Sequence, residues 1–279
     1  MTYTTNPWTT NPWRSNAGAG AGLLKTGQTI SYHTGDDGDL ELGTAKSFTV
    51  LDTGQYSGTT NITINGKTCA LSNNCVQDNN TGLMWARYIP QTDIGAGTDG
   101  QLFWDQWTLE DKTTISFDST SGEIRNSASG FVTSALCAGR IFTIAGSTSN
   151  DGTYTVSSIT AGVIVVPETI IDEAAGASVT VATKDDLIWN AVDQANVNSL
   201  GGHTGWRVPN KVELESIVDI GHFSPCIDSA VFPSTPNDNF WTSSTMLVPS
   251  IWAFFVFFTF GGMYYSYKTQ SRYYLRLVR

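Results

Sequence analysis

The sequence is poor in charge. Lys, Arg, Asp and Glu make up 14% of its 279 residues, and no run of Lys or Arg occurs. A nucleic-acid-binding domain ordinarily carries a basic stripe, so a chain with a net charge of −10 and no such stripe points away from nucleic acid. Long apolar runs are also missing. The longest, Met246 to Phe260, has fifteen residues and is interrupted by Pro249, whereas a membrane-spanning helix needs about 20. Membrane insertion is therefore not expected. The N-terminal "MTYTTNPWTTNPWRSN" lacks the basic start and apolar centre of a secretory leader.

Signatures of catalysis and metal binding are equally scarce. There is no G-x-S-x-G elbow and no H-E-x-x-H, and His33, His203 and His222 are widely scattered. "GDDGD" (35–39) lacks the remaining ligands of a calcium loop and reads as a turn. Four cysteines contain no C-x-x-C pair. Cys69 and Cys75, in "CALSNNC", have a spacing that a small disulfide loop can use, and the spacing alone leaves that pairing open. Glu213 and Glu215 fall in the first turns of a helical pattern, where carboxylates ordinarily offset the helix dipole. Neither a cofactor, a metal site nor an enzyme activity is expected.

What the sequence does have is Gly, Thr, Ser and Asn in abundance, the composition of short strands and turns. Residues 1–22, with the tandem "TNPWTTNPW" and "AGAGAG", read as a flexible tail. Residues 23–111 read as strands and turns, with "NITING" as a hairpin around Asn65-Gly66 and "TGLMWAR" as a buried strand carrying Trp85. Residues 112–183 change character. "RIFTIAG", "TYTVSSI" and "GVIVVPE" are strand-like, and the segment reads as an inserted all-β, immunoglobulin-like module. Residues 184–279 resume the first pattern. Apolar positions 187, 188, 191, 192 and 195 have helical spacing. A second helix follows, with Asn210 and Glu213 as a capping box and Leu214, Ile217 and Val218 as its apolar stripe.

The last forty residues hold 13 of the 32 aromatic residues and neither Asp nor Glu. As a strand, "WAFFVFFTF" places Trp252, Phe254, Val256 and Phe258 on one face and Ala253, Phe255, Phe257 and Thr259 on the other. One face suffices for a core. The other is either buried as well or forms an exposed patch, and exposed patches of this size mark binding sites or subunit contacts.

The stretches "LLKTGQTISYHTGDDGDLELG", "DNNTGLMWAR", "LGGHTGWRVPNKVELESIVD" and "FWTSS…WAFFVFF…G…K…YLRLVR" resemble a family of lectin-like domains. These occur at the ends of bacterial collagen-like adhesins and as the variable proteins of diversity-generating retroelements. The resemblance covers residues 23–110 and 184–279. It implies an α+β, C-type-lectin-like fold with two helices and short antiparallel strands. In the variable proteins, error-prone reverse transcription alters adenine positions in codons for a C-terminal binding surface. A fixed frame would then comprise Phe240, Trp241, Ser243, Ser244, Trp252, Phe254, Val256, Phe258, Gly261, Lys268, Tyr274 and Arg276 to Arg279. The ligand-binding positions would be Leu247, Val248, Ser250, Phe255, Phe257, Thr259, Phe260, Tyr264, Tyr265, Ser266, Tyr267, Ser271 and Arg272, and Pro249 is a further position outside the frame. An AAC codon changed at its adenines encodes all of these residue types, but not Lys, Glu, Gln, Met or Trp, so Met246, Met263 and Gln270 stand outside the pattern. Tyr, Phe and Ser together resemble an antibody paratope.

The implied protein is a ligand- or receptor-binding component of a virion or cell surface, phage-like, attaching to a cell-surface protein or glycan. Its N-terminal tail would join it to a virion structural protein. Two alternatives follow from the same fold: an adhesin module with a fixed glycan or matrix partner, and an enzyme like the formylglycine-generating enzymes, which would need Cys137 and Cys226 to pair. The Glu-Pro-Asn and Trp-Asn-Asp triplets of calcium-dependent sugar sites are absent.

Overall fold

The computed structural model describes residues 23–51, 58–64, 67–89, 100–184 and 187–279. The N-terminal tail and the Asn65-Gly66 turn therefore lie outside the described residues. In chain order the elements begin with α1 (Asp37–Leu40), β1 (Phe48–Leu51), β2 (Thr59–Ile64), β3 (Lys67–Ser72), β4 (Cys75–Asp78), β5 (Met84–Ala86) and β6 (Leu102–Phe103). Next come β7 (Thr108–Lys112), β8 (Ile115–Asp118), β9 (Glu123–Asn126), β10 (Ile141–Ala145), β11 (Gly152–Thr155), β12 (Ser158–Ile159), β13 (Val163–Val165) and β14 (Val179–Lys184). The chain closes with α2 (Ile188–Val197), a 3-10 turn (Leu200–Gly202), α3 (Lys211–Ser216), β15 (Asn239–Thr245), β16 (Trp252–Phe257), β17 (Gly262–Tyr267) and β18 (Arg272–Tyr273).

This architecture corrects the α+β, C-type-lectin-like expectation. The described residues form 18 strands in six small sheets, with α-helices of only 4, 10 and 6 residues. The physical reason is local. Turn-forming Gly, Asn and Ser interrupt the helical stripes, and α3 ends at Ile217 after fewer than two turns. The extra helix, α1, arises where a plain turn is expected. The Asp36 carboxylate accepts from the Asp39 amide and nucleates a single turn.

The immunoglobulin-like expectation is corrected with it. Residues 108–184 form two four-stranded sheets, in orders β11-β10-β14-β7 and β12-β13-β9-β8. That is four plus four strands, against four plus three in a constant-type immunoglobulin domain. The sheets enclose a cluster of their own that includes Trp107, Ile124, Phe142, Ile164 and Val181. At its margin the buried Arg140 places its guanidinium 3.5 Å from the centre of the Phe103 ring.

The remaining elements bury two further clusters. One gathers Ile62, Leu71, Leu200, Trp206 and Trp241 around the inner side of α2. The other gathers Trp85, Leu214, Ile217, Phe232, Phe240 and Phe258 around α3. The C-terminal residues run between them. Val278 exchanges backbone hydrogen bonds with Arg207, Ala86 donates to Leu277 and Met84 pairs with Arg279. Cys75 is a free, buried thiol, so the Cys69–Cys75 bridge is not made. Burial pushes that thiol up to about 11.

α3 is held by two interactions that can be separated. The Asn210 side chain accepts from the Val212 and Glu213 amides, and the Glu213 carboxylate accepts from the Asn210 amide. Glu213 also takes a two-pronged bond from Arg207, 2.7 Å on each prong. That bond holds its carboxyl below the usual carboxylate range. Asn210→Ala is therefore expected to cost about 1 kcal/mol in urea denaturation. Because the folded pKa of Glu213 is depressed, its contribution is present above its unfolded pKa and is lost as pH falls through the folded value. The stability difference between the native chain and Glu213→Gln should accordingly shrink on acidification below about pH 4.

Candidate functional site

The C-terminal aromatic stretch folds as the antiparallel sheet β15-β16-β17. Aromatic and branched residues favour strands because they fill a pleated, half-buried surface. β16 is the central strand, with Phe240 opposite Val256 on one side and Phe254 opposite Tyr265 on the other. β17 is an edge. The turn between β16 and β17 demands glycine at position 261. Its φ is +73°, and a Cβ there would meet the Val218 side chain at 2.8 Å.

Both faces of β16 are put to use. Ala253 and Phe255 enter the cluster containing Trp241, while Val256 and Phe258 enter the one containing Phe240. Phe255, expected on the binding surface, is thus a core residue. It is 8% exposed, with its ring 4.6 Å from that of Tyr273. The alternation is right, but burial of both faces removes this position from solvent.

Rings that are not fully buried form two groups. In the first, Trp252 stacks on Tyr265 (4.9 Å between centres, 17° between planes) and meets Tyr267 edge-on at 5.6 Å. Phe254 lies beside Tyr265, and the Lys211 ammonium sits 4.9 Å over the Phe254 ring. In the second, Phe260 packs between Phe257 and Phe223, and Tyr264 touches Phe255 and Phe257. Next to the first group, the 246–251 loop leaves Leu247 93% and Val248 78% exposed, with Ser250 and Ile251 also in solvent.

Of the thirteen expected ligand-binding positions, Leu247, Val248, Ser250, Phe260, Tyr264, Tyr265 and Tyr267 are exposed. The others are not presented in the same way. Phe257, Thr259, Ser266, Ser271 and Arg272 are half-buried. Thr259 donates to the Asn237 carbonyl, the Ser266 and Ser271 hydroxyls bond each other at 2.6 Å, and Arg272 donates to the Gln101 carbonyl.

The model of the Lcl C-terminal domain family matches residues 74–279. The chain belongs to that family. It is a family of lectin-like, adhesin C-terminal domains. No curated protein and no solved structure matches the chain.

The matched range of this Lcl C-terminal domain runs from β4 to the last residue and takes in residues 112–183. Within it, the frame positions Phe240, Trp241, Val256, Phe258, Lys268, Arg276, Leu277 and Val278 are all buried. Lys268 holds its ammonium 4.2 Å over the Trp104 ring, and burial pulls its pKa down. The neighbouring Trp189 ring meets Trp104 edge-on. Sequence reasoning gave Trp104 and Trp189 no role, and only their place in space connects them to Lys268. Cys226 is a buried thiol that donates to the Thr259 carbonyl, and burial raises its pKa, the opposite of what activates a nucleophilic cysteine. Among the described residues, no three His, Cys, Asp or Glu side chains gather as metal ligands would, and no helix is long and apolar enough to cross a membrane.

Proposed function

We propose that this Lcl C-terminal domain binds a cell-surface protein or glycan through the exposed residues of the 247–251 loop, Phe260 and β17. In this reading those positions are diversified by a retroelement, and the protein serves as a host-attachment component of a phage-like particle. One observation carries it. Leu247, Val248, Phe260, Tyr264, Tyr265 and Tyr267 are exposed, and each belongs to the set an altered AAC codon encodes. The frame residues Phe240, Trp241, Val256, Phe258 and Lys268 are buried, so side chains can change at the surface while the sheet beneath is held. The absence of Asp and Glu from residues 240–279 leaves a surface free of carboxylate repulsion toward an acidic partner.

A second reading draws on family membership: an adhesin module with one fixed glycan or matrix partner. Sequencing the locus in sibling genomes separates the two. The diversified reading expects a nearby near-copy of the 240–279 coding segment, differing mainly at adenines. Substitutions should concentrate at codons 247, 248, 260, 264, 265 and 267, with codon 255 confined to large apolar residues. Siblings identical through 246–275, with no such repeat, would give the fixed-partner reading the lead.

A further inference from the structure

A groove of about 490 Å³ opens beside α3 and reaches the turn between β16 and β17 at Gly261. Its walls include Leu23, Leu24, Val212, Val218, Ile220 and Gly261. Leu23, Val212 and Ile220 are 72%, 64% and 44% exposed, so the groove presents apolar surface to solvent. Its charged side chains are not equivalent. Lys25 pairs with Glu41 at 3.0 Å, and the Lys46 ammonium donates to the Lys25 carbonyl. Glu215 has no ion pair among the described residues.

The segment that ends at this groove has the matching chemistry. Leu23, the first described residue, forms part of the wall, and residues 1–22 lead into it. That segment contains no Asp or Glu, and Arg14 is its one charged side chain. Arg14 directly follows Trp13, the aromatic residue of the second "TNPW". Residues 14–22 span at most about 30 Å when extended, ample for Trp13 to reach a groove that begins at Leu23. Closing so short a loop costs little chain entropy.

We propose that the chain's own N-terminal segment occupies this groove, with the Trp13 indole against Val212 and Ile220 and the Arg14 guanidinium on Glu215. The contact covers the exposed apolar wall and fixes where the leader departs from the domain.

Trypsin tests this directly, because it cleaves after Arg14. The full-length chain is digested briefly, and scission of the Arg14–Ser15 bond is followed by intact mass, with a free peptide of residues 1–22 as the unprotected control. Docking predicts slow cleavage in the native chain. Cleavage at that bond should be about tenfold faster or more in Val212→Glu, Trp13→Ala and Glu215→Arg, since proteolysis follows the undocked population. Val212 and Glu215 lie at the surface, so their variants should melt at the native temperature. Cleavage of the native chain at the rate of the free peptide, or at the same rate in all variants, overturns the proposal. Protection that disappears on dilution as light scattering falls from dimer to monomer mass also overturns it, because the occupant would then belong to a second copy.

Discussion

Arg276→Ala should lower the free energy of unfolding by about 4 kcal/mol or leave the chain unfolded. The side chain is fully buried, and its guanidinium lies 4.9 Å over Phe232 and 5.9 Å over Phe240. It donates to the carbonyls of Ala86 and Arg87 at 2.8 and 2.7 Å and to the Thr235 hydroxyl at 2.7 Å. No carboxylate pairs with it among the described residues, and burial pulls its pKa down to about 9. It is still a cation at neutral pH, stabilised by dipoles and ring faces. Truncation empties that space and removes a donor from the Ala86 and Arg87 carbonyls at once. Lysine should not rescue the fold, because a single ammonium cannot reproduce a planar fork bonded to three acceptors. Urea denaturation of both variants provides the measurement. A loss under 1 kcal/mol for Arg276→Ala would mean that this guanidinium does not tie the C-terminal residues to β5.

The second large effect separates core from surface within one sheet. Phe255→Ala should cost about 3–5 kcal/mol, the usual range for a buried phenylalanine. Alanine at Leu247, Val248, Tyr265 or Tyr267 should change stability by no more than about 1 kcal/mol, most of that from lost ring stacking on Trp252. The proposed binding surface needs this contrast. If the tyrosine variants unfold as readily as Phe255→Ala, the rings are structural and the surface has no freedom to vary. If Phe255→Ala is harmless, β16 is not gripped on both faces as the packing indicates.

Several of these features are legible in the sequence because their causes are local. Asn210 and Glu213 announce α3 through a reciprocal cap, and the cap is there. The spacing of Ile188, Ala191 and Ala195 marks the buried side of α2. The strands flanking "NITING" pair as expected, with Ile64 opposite Lys67. "TYTVSSI" reads as one strand but makes two, β11 and β12, which belong to different sheets. Its break at Val156–Ser157 carries no Gly or Pro to announce it. The overall class is misread for a related reason. The family resemblance implies an α+β fold and two stripes of helical spacing agree with it, but nothing in a stripe states how short its helix is beside eighteen strands. Burial is the hardest part to read. Alternation sorts Phe254 from Phe255, yet which side meets solvent depends on Trp241 and Tyr273, distant in sequence and close only in the fold.

The cluster enclosed by the two four-stranded sheets shares no side chain with the other two clusters. Perturbations that share no partner add rather than couple, so substitutions in the apolar interior of those two sheets and substitutions at the exposed rings Tyr265 and Tyr267 draw on separate reserves of stability. The regions meet where Arg140 and Arg272 both approach the Phe103 ring. Mutational histories of the two regions can then proceed without compensating one another. A lineage that remodelled the exposed rings would have no need to readjust the sheets between β7 and β14, and changes in those sheets would leave the proposed binding surface untouched.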